Sequence, residues 1–106
     1  MPTEDQKQNL SGAIEQIKKA ETALLSSSGD KVQAKYDSLD ELLTKMIEAK
    51  EKEDDEAFNA ATGELKQLSS VLQTDQDELK AIVGDAKLAA EIAGYLTEAA
   101  EFLAKI

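Results

Sequence analysis

Apolar residues recur along this chain at alternating spacings of four and three, which is the repeat of one face of an α-helix. Leu10, Ile14, Ile17 and Leu24 form the first stripe, with Ala13 and Ala20 beside it. Thr3-Glu4-Asp5-Gln6 ahead of it reads as a capping box, with two acids placed where the helix dipole favours them. Ser26-Ser27-Ser28-Gly29 ends the stripe, with Gly29 able to adopt a left-handed cap conformation. A second stripe follows from Asp30: Val32, Tyr36, Leu39, Leu43 and Met46. It lapses in Glu48–Glu56, where the same register would carry Lys50 and Glu53 into a core. That places a turn near Glu53, with Asp54 or Asp55 as the next N-cap.

The third stripe is Phe58, Ala61, Leu65, Leu68 and Leu72. Its register runs on through Leu79, Ile82, Ala86, Ala89, Ala93, Leu96, Ala100 and Leu103, with Asp75 as the polar exception. One helix from Asp55 to Ile106 would span about 75 Å, far beyond what the first two helices cover. A break at Gln73–Asp75, with Thr74-Asp75 as a cap, and a second kink at Gly84-Asp85 resolve the conflict. With short connections, neighbours pack antiparallel. The expected fold is all-α: one domain over 1–106, an antiparallel up-down-up-down four-helix bundle. The alternative merges helices 3 and 4 into one long helix, giving three.

The last helix carries two apolar seams. Beside Ala86, Ala89, Ala93, Leu96, Ala100 and Leu103 runs a second line: Leu88, Ile92, Tyr95, Ala99, Phe102 and Ile106. The polar remainder is a narrow strip of Lys87, Glu91, Glu98, Glu101 and Lys105. An outer helix normally buries one stripe, so this one is either central to the bundle or docks on another chain. The second line is therefore the candidate partner-binding face, for a protein partner or a homodimer. Small residues at Ala86, Ala90 and Gly94 would let a neighbouring backbone approach. Its five large side chains would contribute about 8–15 kcal/mol gross if fully buried. Association costs about 4–15 kcal/mol, so the seam alone supports weak binding.

Composition narrows the chemistry. The 106 residues carry a net charge of −10, with no Cys, His, Trp or Arg. There is no imidazole base or ligand, no thiolate and no guanidinium clamp. Isolated glycines rule out a phosphate loop, and Asp75-Gln76-Asp77-Glu78 lacks the glycine and terminal glutamate of a calcium loop. No enzyme, cofactor, metal or small-molecule substrate is expected. The acidity disfavours nucleic acid and membrane surfaces, and the polar acidic N-terminus does not read as a signal, which leaves the cytoplasm as the expected setting. Glu51, Glu53, Asp54, Asp55 and Glu56 gather at one end of the expected bundle. They offer a second candidate surface, on which an acidic inhibitor, an antitoxin-like protein or a nucleic-acid mimic would meet a basic partner. Against mimicry, Glu15–Lys19, Glu41–Lys45, Glu48–Lys52 and Glu101–Lys105 are spaced as i,i+4 ion pairs.

Overall fold

The computed structural model describes residues 1–27, 29–73 and 75–106. Within them the chain forms α1 (Glu4–Leu25), α2 (Val32–Lys50), α3 (Asp55–Leu68), a 3₁₀ turn (Ser69–Leu72), α4 (Gln76–Val83) and α5 (Ala86–Ala104). The described residues contain no strand.

Local chemistry sets most of the boundaries. The Thr3 side chain accepts from the Gln6 N–H, and the Gln6 amide oxygen accepts from the Thr3 N–H, which closes the capping box. Asp54, Asp75 and Asp85 cap α3, α4 and α5, accepting from the N–H groups of Ala57, Glu78 and Leu88 at 3.0, 2.8 and 3.0 Å. These bonds satisfy donors that a helix start leaves open.

Two expectations at the α1–α2 connection are corrected. The second helix, expected from Asp30, starts instead at Val32, after Lys31 and with no side-chain cap. Gly29 does not take the left-handed conformation, which among the described residues belongs to Gly84 (φ 74°). Gly29 is instead small because the Ile82 carbonyl packs where its Cβ would stand. Ser28 and Thr74, part of the expected turn and cap, lie outside the described residues.

The expected four helices are five among the described residues, and the merged alternative fails with them. Both suspected breaks occur. Asp75 starts a new helix, and the left-handed Gly84 followed by the Asp85 cap turns the chain again. Consecutive long helices run antiparallel: Lys7 on α1 reaches the end of α2, and Lys45 on α2 pairs with Glu64 on α3. α5 lies antiparallel along α1, with Phe102 beside Gly12 and Leu88 sharing a groove with Ala23. α1 packs more extensively on α5 than on α2. The short α4 joins the end where α1 passes to α2, and there the Ser27 hydroxyl donates to the Val83 carbonyl. The molecule is elongated, 44 × 19 × 19 Å.

The core follows the stripes. Leu10, Ile17, Leu24, Leu39, Met46, Phe58, Leu65, Leu79, Ile92 and Leu96 are all buried. The α2 terminus is closed by Lys7, whose ammonium donates to the Lys50 carbonyl and, at 2.6 Å, to that of Lys52. The same ammonium lies 5.3 Å from the centre of the Phe58 ring. One lysine thus satisfies carbonyls left open at a helix end and covers an aromatic face.

Candidate interaction surface

The structure divides the second seam of α5. Ile92 and Ala99 are fully buried within the chain. As parts of the core they offer nothing to a partner, which corrects their place in the expected docking face. Leu88, Tyr95, Phe102 and Ile106 are half-buried, packed at the margin of the core with part of each side chain open. The reason lies in α1, whose flank at Gly12, Gln16 and Ala23 accepts much of that seam. At Gly12 the bare backbone admits the Phe102 ring. The Lys105 ammonium then sits 5.7 Å from the ring centre instead of in the expected i,i+4 pair with Glu101.

What stays open is a groove of about 410 Å³ between the second half of α1 and the first half of α5. Leu88, Ala23 and Tyr95 give it apolar surface, and Lys18, Lys19 and Glu91 give it charge. The Tyr95 hydroxyl donates to Glu91 at 2.8 Å. That bond, then partial burial and the carboxylates of Glu91 and Glu98, holds the phenol above its ordinary value. The two lysines were not anticipated as part of a site. They are i and i+1 on α1, and helical periodicity carries no sign that α5 lies beside them.

Ala86, Ala90 and Gly94 are exposed on the outer side of α5, with open space where a Gly94 Cβ would stand. Other large exposed apolar side chains are scattered: Met1 ahead of α1, Leu25 at its end and Ile47 on α2.

The acidic end is present, with Glu51, Glu53, Asp54, Asp55 and Glu56 all exposed. Two of the five have structural work. Asp54 caps α3, and Asp55 pairs with the N-terminal ammonium at 2.7 Å. Among the expected i,i+4 pairs, Lys45 turns instead to Glu64 across the α2–α3 interface at 3.0 Å, which raises its pKa.

Among the described residues no three carboxylates converge to hold a metal ion, and no helix is long and apolar enough to cross a membrane. Sequence reasoning missed one chemically distinctive residue. Glu21 is buried at 5% exposure on the α2 side of α1, near Asp40 and Tyr36. Comparison of the chain with protein-family models, with curated proteins and with solved structures gives no match.

Proposed function

We propose that this chain is a non-enzymatic helical interaction module that binds a protein partner along the α1–α5 groove. The scaffold reads as four antiparallel rods, with α4 inserted in the connection between the third and the last. The observation that carries the proposal is the groove itself. Leu88, Tyr95 and Ala23 offer apolar surface between Lys18 and Lys19 on one side and Glu91 on the other. A partner segment with an apolar residue flanked by carboxylates complements it: the apolar contact supplies affinity and the lysines set orientation. A second copy of this chain fits less well. Burial of Ile92 and Ala99 removes part of the apolar area a dimer would use, and a stable interface takes roughly 800 Å² per partner. Two copies also bring together two chains of net charge −10.

Site-specific photocrosslinking in cells tests this reading. A photoreactive residue at Thr22, in the groove, is expected to trap one defined protein, and the same group at Asp37 on α2 is not. Lys18→Glu with Lys19→Glu should remove the adduct while helicity stays unchanged. Identical adducts from both positions, or none, would overturn the proposal, and an adduct of twice the chain mass would replace it with self-association.

A second reading rests on Glu51, Glu53 and Glu56, which stand exposed at the far end without the structural duties of Asp54 and Asp55. There the chain would dock on a basic surface, and binding would weaken steeply with salt, whereas the groove contact would persist.

A further inference from the structure

The groove of about 410 Å³ does not end at Tyr95. A second hollow of about 230 Å³ lies farther along α1 and α5, lined by Gln16, Glu98, Glu101, Phe102 and Lys105. Helical spacing puts the two in one line. On α5, Leu88, Glu91, Tyr95, Glu98, Phe102 and Lys105 follow one another at steps of three and four, and on α1 so do Gln16, Lys19, Ala23 and Ser26. Each set is therefore a single helix face, and because α5 lies antiparallel along α1 the two faces meet lengthwise. The line from Leu88 to Lys105 is about 25 Å long. Leu88, Tyr95 and Phe102 form its half-buried floor, seven residues apart.

The two ends differ in charge. At one end Lys18 and Lys19 stand with Glu91, and at the other Glu98 and Glu101 stand with Lys105. Internal contacts sharpen the contrast. The Tyr95 hydroxyl engages Glu91, and the Lys105 ammonium lies over the Phe102 ring. Lys18, Lys19, Glu98 and Glu101 join no ion pair among the described residues.

On the reading that a protein partner occupies this groove, we propose that the occupant is a single amphipathic α-helix lying along the whole α1–α5 junction, its acidic end over Lys18 and Lys19 and its basic end over Glu98 and Glu101.

Both walls of the groove are helices, whose backbone groups are bonded along their own axes, so neither offers an edge on which an extended chain could pair. An extended occupant would press unpaired backbone groups against Leu88, Tyr95 and Phe102. A helix arrives with its own backbone satisfied, and its side chains recur with the seven-residue repeat of the row it faces. Opposite charges at its two ends match the two ends of the groove and fix its direction. A second copy of the chain would set groove against groove and bring no ridge to fill either.

Photocrosslinking at two points tests the helix separately from the docking reading on which it rests. Photoreactive residues at Thr22 and at Lys105 stand about 20 Å apart along the groove. In cells each should trap the same protein, and mass-spectrometric mapping should place the two attachment sites about 14 residues apart in the partner, the spacing of one helix. An extended chain would place them about six residues apart. Glu98→Lys with Glu101→Lys should lower the yield of the Thr22 adduct roughly fivefold, and Glu51→Lys with Glu53→Lys should leave it unchanged. A Thr22 adduct with none at Lys105, attachment sites at any other spacing, or a Thr22 adduct indifferent to the Glu98 and Glu101 reversal would each overturn the helix and leave the docking groove standing. No adduct at Thr22, or an adduct with a second copy of this chain, would overturn both.

Discussion

The Phe102 ring lies over the bare backbone of Gly12, so close that a Cβ there would stand 2.8 Å from two of its ring carbons. This contact lets α5 settle against α1 and turns an aromatic of the second seam into a margin of the core. Gly12→Ala should therefore destabilise the fold by about 1 kcal/mol. The helix-propensity gain of an alanine is outweighed by displacement of a half-buried ring. Gly63 and Gly94, also helical, have open space at the same position. Gly63→Ala and Gly94→Ala should each stabilise by about 0.5–1 kcal/mol. Urea unfolding of the three variants checks the difference in sign, and a Gly12→Ala/Phe102→Leu double mutant should recover part of the loss.

The helix caps give a graded set. Asp75→Ala and Asp85→Ala each remove an acceptor from a helix N-terminus and should cost about 1 kcal/mol. Asp30→Ala, at a helix start with no side-chain cap, should change stability by less than about 0.5 kcal/mol. Thermal melts at one pH would distinguish them.

Gly84 is the position where the backbone demands glycine, at φ 74°. Gly84→Ala should destabilise by about 1–2 kcal/mol although nothing stands near the new methyl. A loss no larger than that of an exposed surface substitution would show that the α4–α5 corner relaxes to another geometry.

Lys7 joins three elements through two carbonyls of the α2 terminus and the Phe58 ring. Lys7→Ala should cost about 1–2 kcal/mol, more than an exposed lysine usually does. Lys7→Met keeps the aliphatic stem over the ring and should recover only the packing part. Comparing the two by urea unfolding separates the carbonyl bonds from the aromatic contact.

Much of this fold can be read from spacing alone, and the exceptions have physical causes. The stripe of α1 is spaced four, three and then seven. The seven conceals position 21, one turn beyond Ile17, where the register places a core residue and the sequence places Glu21. A polar residue at a stripe position marks either a helix end or a buried charge, and here it is the second. At Asp75 the same signal marks a helix start, because the residue is exposed and its carboxylate caps α4. That Ile92 and Ala99 fall inside the core is hidden from spacing, because periodicity shows how much of α5 is apolar but not how wide a flank α1 offers it. That width depends on Gly12, whose role appears only once Phe102 is placed. The role of Gly29 is hidden for a related reason: the residue that crowds it, Ile82, is distant in sequence.

The pairing of α1 with α5 also dictates an order of events. Helix α1 meets its most extensive neighbour, α5, only after α2, α3 and α4 have been synthesised between them. Until then α1 has α2 on one side and a greasy flank exposed on the other, while α2 and α3 can already pair as a local hairpin. Docking α5 on α1 closes a loop of about sixty residues, a cost in chain entropy that the α2–α3 hairpin does not carry. A chain lacking residues 86–104 should accordingly expose apolar surface along α1 and be more prone to aggregate than the intact one.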